Sequence, residues 1–233
     1  MDISVKRIVK DINDLEKNNL NSHGIYHHIY NDDIFDIKVL MIGPSDTPYE
    51  HGYYFFNLKM PNDYPFNPPK VTYCTQNGKT RFNPNLYTNG KVCLSIINTW
   101  QGPRWSSCNT ISTVLLSIQA LVFISDPLHN EPGFEKDKSI KNTNYNILLT
   151  YENFKTAIYK MILTPPNTFE YFNSITIKHF IENYEHIIEK IDNNMDKNDK
   201  SFFINLYNMC DKLDYINLKK NICELHTNII KLN

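Results

Sequence analysis

The densest chemistry in this 233-residue chain lies between residues 81 and 105, RFNPNLYTNGKVCLSIINTWQGPRW. Cys93 follows the turn Thr88-Asn89-Gly90 and leads into a short apolar run. A thiol in that place has two readings. It is a small buried hydrophobe, as most intracellular cysteines are, or it is a nucleophile whose thiolate attacks an acyl carbon. Asn85 stands eight residues earlier, behind Pro84, whose ring restricts the backbone. A fixed amide beside a thiol can donate to the oxyanion formed when a thiol or an amine attacks a thioester. No histidine lies in the stretch, so the Cys–His pair of a thiol hydrolase has no local support.

Regular elements must hold that irregular segment, which runs from Pro61 to Asn109. Upstream, Val5, Ile8, Ile12 and Leu15 recur at helical spacing among Lys6, Arg7, Lys10, Asp14 and Lys17, which predicts an amphipathic N-terminal helix. NNLNSHG stops it. IYHHIY, IFDIKVLMI, YYFFNLKM and VTYC are short, aromatic and β-branched, with turn residues between the second and third. They predict a four-stranded antiparallel meander. Downstream, Ile111, Val114, Leu115, Ile118, Leu121 and Val122 predict a helix over 109–124, capped by Ser107 or Asn109. A second helix is predicted from Tyr145 to Leu163, stopped by TPPN.

Beyond Thr164 the pattern turns helical throughout. Phe169, Phe172, Phe180, Tyr184, Ile187, Ile188 and Ile191 fit one or two helices, and DNNMDKNDK is a polar hinge. Phe203, Leu206, Tyr207, Cys210, Leu213, Ile222, Leu225 and Ile229 then fit a final helical pair. The expected fold class is α+β, with a domain at 1–164 and an all-helical C-terminal extension at 165–233 that can be removed without unfolding the domain.

Composition narrows the partners. Lys and Arg number 24 against 25 Asp and Glu, so a formal charge of −1 offers no basic footprint for nucleic acid or anionic lipid. No apolar run approaches the ~18 residues of a membrane span, and the charged start MDISVKRIVKDINDLEK does not read as a secretory signal. The five cysteines (74, 93, 108, 210 and 223) show no CxxC spacing, which argues against a disulfide framework or a zinc site. Cys74 is expected at a strand end, and Cys210 and Cys223 on apolar helix faces. His27, His28 and His129 have no metal-ligand spacing. A reducing compartment is expected, the cytoplasm first and the nucleus second, with no metal.

Four motifs in order, GPSDTPYEHGYYFF, PNDYPFNPPKV, FNPNLYTNGKVCLSI and W…TISTVLLSIQALV, resemble the ubiquitin-conjugating enzyme family over roughly residues 1 to 162. NTWQGPRW after the cysteine and HNEPGFE after the long helix resemble its class Z subgroup and the conjugating domain of BRUCE. The resemblance implies that Cys93 is the thioester-forming nucleophile, charged with ubiquitin or a ubiquitin-like modifier by an activating enzyme that spends the ATP. No cofactor of the chain's own is implied. Asn85 takes the place of the asparagine in the family's His-Pro-Asn signature, with Asn83 in place of the histidine. Glu131 falls where the family often keeps an acidic residue that orients the incoming lysine.

The same resemblance gives the interaction residues. Phe66 matches the apolar ligase anchor, and Ser106-Ser107-Cys108 replaces the usual Ser-Pro-Ala of the second ligase-facing loop. Lys6 and Lys10 lie on the helix where the family docks the activating enzyme. The implied partners are therefore the modifier, its activating enzyme, a ubiquitin ligase and protein substrates, and the extension is expected to bias the choice of modifier or activating enzyme. The alternative function is a catalytically weak scaffold of the same fold that binds ubiquitin or a ligase.

Overall fold

In the computed structural model, which describes residues 3–232, α1 (Ile3–Lys17) buries Ile8, Ile12 and Leu15 and leaves Lys6 and Lys10 in water. Its i, i+4 apolar spacing produces this division. One acid faces inward. Asp11 pairs with Arg7 Nε at 2.8 Å, accepts from the Tyr64 hydroxyl, and accepts from the backbone N of Ile111 at 3.3 Å. Ile111 opens α2 (Ile111–Val122), so the carboxylate sits where a helix has free N–H groups and a positive dipole end. Asp11→Ala should therefore cost about 2–3 kcal/mol of stability, read from urea unfolding. An unchanged midpoint would count against this account of the α1–α2 junction.

Four strands follow in sequence order and pair antiparallel: β1 (Ile25–Ile29), β2 (Asp36–Ile42), β3 (Tyr53–Lys59) and β4 (Lys70–Tyr73). Val39 lies opposite Phe56, and Phe56 opposite Tyr73. The meander is thus as expected, but its two inner strands are covered on both faces. On one face Tyr54 and Phe56 meet Phe123, just past α2, with ring centroids 4.8 and 6.4 Å apart. On the other, Phe55 packs on Phe169 and Phe172 at 5.1 and 6.2 Å, and the Tyr53 hydroxyl donates to Thr176 O at 3.0 Å. Double coverage explains why LMI and YYFF run apolar without alternation.

The helix α2 is capped by Thr110, not by Ser107 or Asn109. The Thr110 side chain accepts from Thr113 N, and Thr113 returns the bond to the cap backbone. The predicted helix at 145–163 begins earlier, at α3 (Ile140–Glu152), where Ser139 accepts from Lys141 N. It then widens into a π-helical segment, Asn153–Lys160, before the last turn α4 (Met161–Leu163). Asn153 anchors the widened turn by accepting from Tyr54 Oη at 2.6 Å and donating to Glu50 O at 2.8 Å. A Cβ on residue 52 would lie 2.0 Å from Asn153 Oδ1, so the approach needs Gly52.

The extension departs from the sequence expectation. Between α5 (Asn173–Asp192) and α6 (Tyr215–Leu232) lies a hairpin, β5 (Ser201–Ile204) paired with β6 (Met209–Lys212), so residues 165–233 are not all-helical. Phe203 and Cys210 face each other across the ladder on the exposed side, while Ile204 and Met209 are buried. Cys210 is therefore on a strand and exposed. Cys223 lies half-buried on α6 and accepts from the Tyr184 hydroxyl at 3.2 Å.

The extension shares the core of the domain. One continuous apolar core runs from Ile8 and Phe55 to Phe180, Ile222 and Ile229. No helix among the described residues is long and apolar enough to cross a membrane.

Candidate active site

Cys93 sits on the segment that leaves the isolated bridges at Leu86 and Val92, and only 2 % of its surface is exposed. Two bonds lock it to Asn85: Cys93 N donates to Asn85 O at 2.9 Å, and Asn85 Nδ2 donates to Cys93 O at 2.5 Å. Behind the cysteine, Thr99 accepts from Leu94 N at 2.9 Å and donates to Val92 O at 2.7 Å, which closes the following loop. The thiol is thus carried on a braced backbone. An amide carries two N–H groups, so Asn85 can hold the Cys93 carbonyl with one and offer the other to an oxyanion.

Asn83 is fully buried and organises the layer beneath. Its amide donates to Val122 O at 2.8 Å and to Tyr49 Oη at 3.1 Å, while its oxygen accepts from Asn85 N at 2.8 Å and Asn130 Nδ2 at 3.2 Å. The side chain therefore links the end of α2, the segment before Glu131 and the loop carrying Asn85. An asparagine serves here because both a donor and an acceptor are required at a dry position.

A cleft of about 190 Å³ opens over Cys93, lined among others by Asn85, Trp100, Glu131, Leu206 and Tyr207. Three expected site residues, Cys93, Asn85 and Glu131, thus share one cavity. The last two lining residues come from the extension and were not expected. Tyr207, in the single turn joining β5 to β6, donates to Glu131 Oε2 at 2.6 Å. Burial and this bond to Glu131 push the Tyr207 phenol well above its ordinary value, so it remains a donor at neutral pH. The Arg81 guanidinium lies 3.4 Å from the Tyr87 ring and 4.9 Å from the Tyr207 ring, and Arg81 N donates to Met209 Sδ at 3.3 Å. No spacing rule links residue 131 to residue 207. The turn residues Asn205 and Asn208 were the one local signal that the chain reverses there.

The residues expected to meet partners lie outside this cleft. Phe66 is 70 % exposed, so it is not a core residue. Its loop is tied to the next one by Trp105, whose indole donates to Pro65 O at 2.7 Å. Ser107 is exposed, and Arg7 from α1 donates to Ser107 O at 2.8 Å and to Asn109 O at 2.5 Å. Ser106 Oγ accepts from Cys108 N at 3.2 Å. These bonds tie the loop to α1 and to itself. Lys6 and Lys10 remain exposed on the same α1 helix. Of the other thiols, Cys74 is half-buried and burial pushes it up to about 11, which keeps it protonated, while Cys108 is exposed.

The sequence also matches known proteins. The family model for the ubiquitin-conjugating enzyme matches residues 7–146. The chain is 44 % identical over 155 residues to "Ubiquitin-conjugating enzyme E2 Z" of Xenopus tropicalis, covering 66 % of this chain and 49 % of that protein. It is 38 % identical over 154 residues to "Dual E2 ubiquitin-conjugating enzyme/E3 ubiquitin-protein ligase BIRC6" of Homo sapiens, covering 62 % of this chain and 3 % of that one. "Probable ubiquitin-conjugating enzyme E2 R521" of Acanthamoeba polyphaga mimivirus is 37 % identical over 196 residues, with coverage of 78 % and 13 %. The solved structure of human ubiquitin-conjugating enzyme E2 G1 is 33 % identical, with a TM-score of 0.44 over 50 % of this chain and 91 % of that one. The chain spans about half the length of the E2 Z protein it matches. From its motifs, the family model over residues 7–146 and these sequence relatives, the chain belongs to the ubiquitin-conjugating enzyme family and is closely related to E2 Z and to the conjugating domain of BIRC6.

Proposed function

We propose that this protein carries ubiquitin, or a ubiquitin-like modifier, as a thioester on Cys93 and passes it to a lysine amine or to a ligase. The observation that carries the reading is the meeting of Cys93, Asn85 and Glu131 in one cleft. In the first step the Cys93 thiol gives its proton to water. Its sulfur then bonds to the modifier's C-terminal carbonyl carbon, and the activating enzyme's sulfur leaves as a thiolate. One thioester replaces another, so the step needs little driving force. The ATP is consumed by the activating enzyme. In the second step a lysine nitrogen bonds to the same carbon, its proton passes to Glu131 or water, and the Cys93 thiolate leaves.

Asn85 offers its spare N–H to the oxyanion of both intermediates. Tyr207 is a positioning residue: by holding Glu131 Oε2 it fixes the carboxylate toward the cleft. Tyr207→Phe should slow single-turnover lysine discharge about fivefold, near 1 kcal/mol of barrier, and leave charging unchanged. Equal rates for the two proteins would remove that role. Phe66, Ser107, Lys6 and Lys10 form the surface for the ligase and the activating enzyme, and the reaction belongs in the cytoplasm.

Activating enzyme, ATP, ubiquitin and this protein, resolved on gels with and without reductant, test the whole reading. A reductant-sensitive adduct of one modifier mass is expected. A protein that never charges with ubiquitin or any relative is a scaffold instead.

A further inference from the structure

The seam between the domain and its extension holds a second cluster of chemistry-bearing side chains, remote in sequence from one another. Glu50 and His51 end the turn before β3, and His186 lies on α5 of the extension. His51 Nε2 and His186 Nδ1 are 2.8 Å apart. Glu50 Oε1 faces both nitrogens, at 3.8 Å from His51 and 3.9 Å from His186. These last two distances exceed hydrogen-bond reach, so hydrogen bonding alone does not explain why all three atoms converge. We propose that Glu50, His51 and His186 form a binding site for a divalent transition-metal cation of the zinc class, which staples the extension to the domain.

The geometry supports the ion. A triangle with sides of 2.8, 3.8 and 3.9 Å has a centre about 2.1 Å from each corner, the bond length zinc takes to imidazole nitrogen and carboxylate oxygen. Modest outward movement of the two rings lets the ion rise from that plane toward tetrahedral geometry, with water as the fourth ligand. Glu50 and His51 also line a cavity of about 280 Å³, which gives room for that water. Two imidazoles and one carboxylate suit zinc better than the all-oxygen sets of magnesium or calcium. In the absence of metal, one proton shared between the two rings takes its place.

The surroundings resemble an outer ligand shell. Lys190 Nζ holds Glu50 Oε2 at 2.8 Å, which leaves Oε1 turned toward the imidazoles. Ligating carboxylates are commonly oriented in this way. The His51 backbone has a φ of 63°, in the left-handed region that is uncommon for residues other than glycine. The turn that adopts it brings the ring to His186 of α5. The His179 ring lies 5.5 Å from the His51 ring and its Nδ1 pairs with the Tyr53 hydroxyl at 3.1 Å, but among the described residues only Glu50, His51 and His186 bring ligand atoms within 4.8 Å of one another.

The test uses the full chain stripped with a chelator and titrated with Zn²⁺ against a chromophoric competitor, with Co²⁺ as a spectroscopic stand-in. One Zn²⁺ per chain is expected, together with visible Co²⁺ bands lacking any thiolate charge-transfer band. His186→Ala should weaken Zn²⁺ about 100-fold or more and abolish the rise in melting temperature that the metal gives the parent protein. The His186 side chain is 43 % exposed, so this variant keeps its fold, and Glu50→Gln provides an independent second loss. Absence of stoichiometric binding, unchanged affinity in both variants, or a thiolate band pointing to the cysteines would overturn the proposal.

Discussion

Truncation after Thr164 should leave a protein that aggregates or exposes apolar surface, not a working domain. The sheet face opposite α2 is covered by residues of the extension: Phe169 and Phe172 on Phe55, and Thr176 on the Tyr53 hydroxyl. Tyr53 and Phe55 are at most 1 % exposed in the whole chain and would face water without it. Each large apolar side chain so uncovered forfeits about 1.5–3 kcal/mol, and a domain has only about 5–15 kcal/mol in hand. Phe172→Ala probes the same interface in the intact chain. It removes a fully buried ring and should cost about 3–5 kcal/mol in urea unfolding. A soluble 1–164 fragment with a cooperative transition and normal charging would show instead that the two parts fold independently.

Asn85→Ala should have the largest effect on chemistry of any change that keeps the nucleophile. Losing one oxyanion donor typically raises a barrier by about 2.7–4 kcal/mol, or 10²- to 10³-fold in rate. The Asn85 side chain also braces the Cys93 carbonyl, but the backbone bond from Cys93 N to Asn85 O survives the substitution, so the loop keeps one of its two ties. Lysine discharge should therefore fall by at least 100-fold in single-turnover assays, while the melting temperature moves little. A fall in stability as large as the loss of rate would mean that the amide serves the loop alone.

The parts of the fold that were readable from sequence are those where local pattern and burial agree. The strands carry aromatic and β-branched runs bounded by turn residues, and α1 carries a clean apolar stripe, so both were legible. The hairpin was not. Phe203, Leu206, Tyr207 and Cys210 fall at helical spacing by coincidence, and two four-residue strands are too short for alternation to compete. The widening after Glu152 is likewise invisible, because it is anchored by Asn153 bonds to Glu50 and Tyr54, about a hundred residues away.

The site divides in the same way. Cys93 and Asn85 share a short motif and were expected as a pair, Glu131 was expected from the family resemblance, and the three line one cleft. Tyr207 and the Glu50–His51–His186 cluster depend on how the extension lies against the domain, and only the folded chain brings them together.

The central claim is that Cys93, and no other thiol, carries the modifier. Cys108 and Cys210 are both more exposed than Cys93, so accessibility alone would favour them. The direct measurement is peptide mapping by mass spectrometry of the charged protein, run beside Cys93→Ala and Cys93→Ser. The modifier's C-terminus should map to residue 93, disappear in Cys93→Ala, and become a reductant-resistant ester in Cys93→Ser. An adduct that persists in Cys93→Ala, on Cys108 or Cys210, would contradict the account.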